Sequence, residues 1–194
     1  MSGAAGGDGG MQGQEQVDPA VLEARAKSDA TLLESFNSCV LQSDEMLKKS
    51  GMSAQRARDI AYARSLLFLP EWNIVACAVK GESEPQIKQF AMIEVKAPDG
   101  KSCRSLAVFP TATIARVEST RMRIPIENGF WVTLSAPIGG VVEWLKSLEI
   151  PAVSVVTATN SNGPSCVLGV DFIQWVKGVE DQQRQQQPGQ PQQP

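Results

Sequence analysis

The chain has no histidine in any of its 194 residues. Imidazole is the usual general base near neutral pH and the commonest metal ligand. Its absence excludes a Ser-His-Asp triad, a Cys-His dyad and an HExxH zinc site within this chain. Four cysteines, Cys39, Cys77, Cys103 and Cys166, are far apart and form no CxxC pair. No GxxxxGK[ST] phosphate loop, GxGxxG turn or EF-hand loop occurs, so the common nucleotide and calcium motifs are missing as well. No apolar run approaches the roughly 20 residues that span a bilayer. The first residues carry neither a basic region nor an apolar stretch of the secretory kind, and Ser2 stands where N-myristoylation needs glycine. These features lead us to expect a reduced, cytoplasmic protein with no membrane insertion, no cofactor and no metal.

Net charge is −3 at a pI near 5.1, which gives no global basic field for nucleic acid. The charge is uneven: residues 1–50 hold eight acids and four bases, residues 80–123 eight bases and five acids. Residues 1–16 are rich in Gly, Gln and Ala, and residues 182–194 in Gln and Pro. Neither end has the apolar groups to offset its ordering entropy, so both are expected to be disordered tails. Pro188, Pro191 and Pro194 have PxxP spacing, although Arg184 is the only base nearby. The rest, 17–181, is expected to form one domain, with a helical hairpin over 17–66 and a sheet with helices over 67–181.

Asp18-Pro19 suits a helix start. Leu22, Ala26, Leu33, Phe36, Val40 and Leu47 then form one helical stripe, closed by Lys48, Lys49 and Gly51. Ser53 should cap a second helix running to about Ser65. The continuous apolar run Ile74–Val79 reads as a strand covered on both faces. Phe90–Val95 alternates as a half-buried strand, residues 97–101 supply a turn, and Leu106–Phe109 returns as its partner. Residues 121–126, Asn128-Gly129 and 130–134 read as a second hairpin, with Pro125 holding its first arm at an edge. Pro137 opens a helix with Ile138, Val141, Val142, Leu145 and Leu148 on one side. That helix leads to the apolar strand 152–159 and a plausible parallel crossover. Asp171 suits the N-cap of a last helix that turns Phe172, Trp175, Val176 and Val179 inward. Together these elements predict an α+β fold: a mixed, mostly antiparallel sheet of about five to six strands, packed with the helical hairpin and two further helices.

Candidate sites are sparse. Arg116, Arg121 and Arg123, with Lys101 and Arg104 upstream, are the densest basic region, and Phe130 and Trp131 lie just beyond. Arg121 and Arg123 would share one face of an edge strand. There they could guard the edge against aggregation, dock an acidic partner or hold a phosphate. Gly139-Gly140 at a helix start could bind an anion, but close packing explains the pair more simply. Residues 160–164 follow an apolar strand and offer only Ser161, with Ser165 beyond, so a polar turn is the simpler account. Cys103 is the one thiol with local positive charge, from Lys101 and Arg104. Glu82, Glu84, Glu94, Glu118 and Glu127 show no pairing that glycosidase chemistry would need.

Leu66-Leu67-Phe68-Leu69-Pro70, then Asp99-Gly100 leading to Leu106-Ala-Val-Phe109-Pro-Thr111, then the helix at 141–148 followed by 151–159, resemble the N-terminal domain of the SseB (enhanced serine sensitivity) family. The resemblance covers about residues 66–172. Where that family has Val-Phe-Thr-Ser, this chain has Val108-Phe109-Pro110-Thr111, and Thr159-Asn160 replaces its Asn-Pro. The resemblance implies an α+β fold and a non-catalytic accessory or adaptor role, linked in that family to secretion or stress systems. The expected function is therefore protein–protein interaction, with another protein or a second copy of the chain, through the hairpin 18–66 or the edge 116–134. A small-molecule or nucleotide-responsive domain is the alternative, with a closed polar pocket near the ends of strands 74–79 and 152–158. Nucleic-acid binding through the basic edge is disfavoured.

Overall fold

The computed structural model describes residues 19–82, 84–96, 102–158 and 163–186. The expected tail 1–16, the Asp18 cap, the turn 97–101, most of the loop after residue 158 and residues 187–194 lie outside them. Helix α1 (Pro19–Lys49) and helix α2 (Ala54–Phe68) form the N-terminal hairpin. Phe36 and Val40 are buried, and the Phe36 ring lies 6.2 Å from that of Tyr62 on α2. Gly51 takes φ +89 while its N–H and that of Met52 return to the Lys48 and Leu47 carbonyls, the left-handed stop expected there. The Ser53 hydroxyl accepts from the Arg56 N–H and caps α2. That helix passes Ser65 and reaches Phe68, because Leu66-Leu67-Phe68 carries no breaker before Pro70.

Strands β1 (Trp72–Val79), β2 (Gln86–Phe90), β3 (Met92–Lys96), β4 (Ser102–Phe109), β5 (Gly129–Ala136), β6 (Ala152–Val155) and β7 (Cys166–Gly169) form one mixed sheet among the described residues. All the pairings are antiparallel except β4 with β6. The chain reaches β6 from β5 through helix α4 (Ile138–Ser147), and β6 then lies parallel to β4, the parallel neighbour expected of a crossover. Helices α3 (Ala112–Ser119) and α5 (Val170–Gln186) complete the fold.

The sheet forks. At its base β1 pairs with β4, Asn73 with Phe109 and Ile74 with Val108. Beyond that point β2 lies along β1 and β3 along β4. Ala91 sits in the crotch, donating to the Val75 carbonyl at 2.8 Å and accepting from the Ala107 N–H at 3.0 Å. The single strand expected around 90–95 is therefore two short strands bent at Ala91. A small residue suits that position, where two ladders diverge over one backbone.

Two apolar clusters cover the faces. The larger joins Trp72, Ile74, Leu106, Val108, Val153 and Val155 of the sheet to Leu66, Leu145, Ile173 and Val176 of the helices. The smaller packs Val75, Ala107, Phe109 and Val156 against Ile114 and Ala115 of α3. Between β4 and β6, Ser105 and Ser154 are fully buried and hydrogen-bond to each other at 2.5 Å. Ser105 also donates to the Ile93 carbonyl, so the hydroxyls are satisfied inside an apolar layer.

Several expectations are corrected. Residues 121–126 form no strand; they are a loop after α3, and β5 pairs with β1 along its whole length. Local alternation could not reveal that β1 offered a longer, largely apolar partner. Helix α3 was not foreseen. Thr111 caps it, and Asp29 of α1 accepts the Thr113 N–H at 2.8 Å, a capping carboxylate 84 residues away. Strand β7 was also missed, and β6 ends at Val155. Asp171 lies in the first turn of α5 and is not its N-cap. That helix continues past residue 181 to Gln186, and it buries Ile173 while leaving Trp175 50% exposed. A Cβ added at Gly139 or Gly140 would meet nothing within 4 Å, so close packing does not explain those glycines.

Candidate functional site

Two features stand out on this frame: the outer edge of β5 and a cavity beside the fork. Strand β5, Gly-Phe-Trp-Val-Thr-Leu-Ser-Ala, has no charge and no proline. Its inner side pairs with β1 over eight registered positions without a bulge. Its outer side has no backbone partner among the described residues. The strand begins at a turn in which Asn128 takes φ +57 and the Gly129 N–H reaches the Ile126 carbonyl at 3.0 Å.

The structure separates the five residues singled out in the sequence. Arg116 is exposed on α3, and Arg121 and Arg123 are exposed in the following loop. No strand face holds the two loop arginines together. Arg121 pairs with Glu118 at 3.1 Å. Phe130, 37% exposed, shares the sheet face of Ala78, whereas Trp131 shares that of Cys77. The Trp131 indole N–H donates to the Met122 carbonyl at 3.1 Å, which ties the arginine loop down beside β5.

Cysteine chemistry finds no support in the geometry. Cys103 lies on β4 next to Arg104, and neighbouring strand residues point to opposite faces. Cys166 is buried, with its sulfur 3.8 Å from an Asp59 carboxylate oxygen. Burial first, then the Asp59 charge, push its thiol from the ordinary 9.0 up to about 12. It stays protonated and inert at neutral pH. Between about pH 9 and pH 12 the unfolded chain releases this proton while the native chain keeps it. Native stability is therefore full below pH 9 and falls as pH rises toward 12, by at most about 1.4 kcal/mol per unit. Alkaline unfolding should show this loss, and Cys166→Ala should flatten it. At pH 8 a thiol reagent should modify exposed Cys39 first and reach Cys166 only after denaturation; equal native rates at both would refute this account.

Exposed Trp175 and Phe68 and half-buried Phe172 are engaged by arginines. Arg56 lies 4.9 Å from the ring centres of both Phe172 and Trp175, and Arg184 lies 5.6 Å from Phe68. Among the described residues no group of three His, Cys, Asp or Glu could hold a metal ion, and no helix is long and apolar enough to cross a membrane.

The cavity, of about 670 Å³, is lined by Gln89 and Phe90 of β2, Met92 of β3, Arg104 of β4 and Leu148, Glu149, Ile150 and Pro151 after α4. It differs from the pocket expected at the ends of strands 74–79 and 152–158: it is open, and it lies at the fork. A second groove of about 330 Å³, apolar and lined by Ile74, Leu134, Val141 and Trp144 among others, shares Phe90 with it. Phe90 meets Trp144 edge-on at 4.5 Å and divides the two spaces.

Glu149 closes α4 in a Schellman turn. Its N–H returns to the Lys146 carbonyl, and that of Ile150 returns to the Leu145 carbonyl at 3.0 Å. This turn calls for glycine, yet Glu149 takes φ +55, at a cost of about 1–2 kcal/mol. No residue in the sequence foretold the cavity, because its walls come from four separate elements. The one available signal was a helix that ends before Pro151 without a glycine.

Comparison with known proteins gives no match: no family model, curated protein or solved structure is significantly similar to this chain.

Proposed function

We propose that this is a non-enzymatic binding protein that pairs the outer edge of β5 with an extended segment of another protein or of a second copy of itself. One observation carries the proposal: eight consecutive residues of sheet edge with no charge, proline or bulge. Open edges are normally blunted by such devices. An edge left without them fits recognition by strand addition, in which main-chain hydrogen bonds give affinity and alternate side chains give specificity. Exposed Arg121 and Arg123 beside its N-terminal end favour an acidic flank on the incoming strand. The SseB-like motifs imply the same accessory class of role, tied to secretion or stress, and the scattered, unpaired cysteines favour a reducing, cytoplasmic setting.

Val132→Lys places a charge in the middle of this edge. The variant should keep its helical circular dichroism and lose association, whether self-association in light scattering or co-purification of a partner. Loss with the fold retained supports edge pairing. If wild type and variant are both strictly monomeric and recover nothing, the proposal fails.

A further inference from the structure

We propose that the cavity at the sheet fork binds a small zwitterion with an apolar body, such as a free apolar amino acid or a short peptide of them. This inference is independent of the β5 edge. Its volume of about 670 Å³ is in the range of small-molecule sites. Its walls divide into an apolar part, Phe90, Met92, Ile150 and Pro151, and a polar part, Gln89, Arg104 and Glu149. Sites of this kind pair an apolar body with a few polar groups that set orientation.

The two charges decide the ligand class. The exposed side chains of Arg104 and Glu149 have neither an ion-pair nor a hydrogen-bond partner among the described residues, although Glu94 stands opposite Arg104 in the β3–β4 register. A simple carboxylate would satisfy Arg104 and be repelled by Glu149. A simple amine would do the reverse. A ligand carrying both groups satisfies both side chains, with its carboxylate on the guanidinium fork and its ammonium on the carboxylate.

The conformation of Glu149 points the same way. A glycine would close the α4 turn without strain, so the left-handed backbone is held at the cavity wall for a side chain that folding does not require. Strained residues of this sort concentrate at ligand sites. Phe90 and Trp144 separate the cavity from the adjoining apolar groove, into which a longer apolar side chain could extend by rotation of Phe90.

Calorimetric titration of the full chain tests this with L-leucine, L-phenylalanine and the dipeptide Leu-Leu. N-acetyl-leucine, which lacks the ammonium, and leucinamide, which lacks the carboxylate, serve as controls. At least one zwitterion should bind, and each singly charged control should bind about 10- to 100-fold more weakly. The tighter of the amino acid and dipeptide arms identifies the source of the zwitterion. Arg104→Gln and Glu149→Gln should each weaken binding by a similar factor. Glu149→Gly should raise Tm by a few degrees while losing binding, which separates site loss from unfolding. No binding of any zwitterion up to about 10 mM, or equal binding of the controls, overturns the proposal.

Discussion

Trp72→Ala should destabilise the protein by about 3–5 kcal/mol, the range for removing a large aromatic from a core, and lower Tm by ~10 °C. Trp72 is fully buried at the point where α2 ends and β1 begins. Its indole N–H donates to the Leu66 carbonyl at 3.1 Å. That carbonyl also accepts from the Leu69 N–H, so it keeps a partner when the indole is removed. The loss is therefore mainly packing: the ring belongs to the larger cluster that joins α2, α4 and α5 to the sheet. Trp72→Phe retains most of that contact and should cost about 1–2 kcal/mol. Urea unfolding of the three proteins checks this. A Phe variant as unstable as the Ala variant would show that the hydrogen bond dominates.

Gly129→Ala should cost about 1–3 kcal/mol, the usual range for overpacking a well-filled site. A Cβ there would lie 2.9 Å from the Cys77 sulfur, 2.9 Å from the Ile126 carbonyl oxygen and 3.1 Å from an Ile124 methyl. Cys77 is fully buried and cannot swing away. The Ile126 oxygen is held by the very N–H that starts β5. The strain should open the Gly129 end of the β1–β5 ladder first, so of the alternate β5 amides that pair with β1, the one within Phe130–Trp131 should speed up in exchange before those around Leu134. Adding Cys77→Ala should relieve the sulfur contact and recover part of the loss. Uniform exchange along β5 would count against this local account.

How much could be read from sequence depended on whether the signal was local. The α1 and α2 helices, the Ser53 cap and the Gly51 stop each follow from residues within one turn of one another. The apolar run of β1 and the crossover helix α4 were legible for the same reason. Asn128-Gly129 correctly marked a turn, but the partner of β5 was assigned to its sequence neighbour when β1, some fifty residues earlier, takes it. Helix α3 escaped because eight residues provide little periodicity. Much of its anchorage is non-local: Asp29 caps it from α1, and the sheet buries Ile114 and Ala115.

The candidate sites divide along the same line. Arg116, Arg121, Arg123, Phe130 and Trp131 were recognisable as a dense region, yet their faces depend on pairings that cross the whole chain. The cavity of Gln89, Arg104 and Glu149 left no trace in spacing, since its residues meet only where β2, β4 and the end of α4 converge.

By itself the sequence determined the α+β class, the helical hairpin, the long apolar strand and the absence of imidazole chemistry, because propensity, capping and composition act within a few residues. Only the tertiary structure decided which strand edge stays open, where the sheet divides, and that Arg104 and Glu149 border one space. Those outcomes depend on long-range strand pairing, in which distant apolar surfaces compete for one another and no short window records which will win.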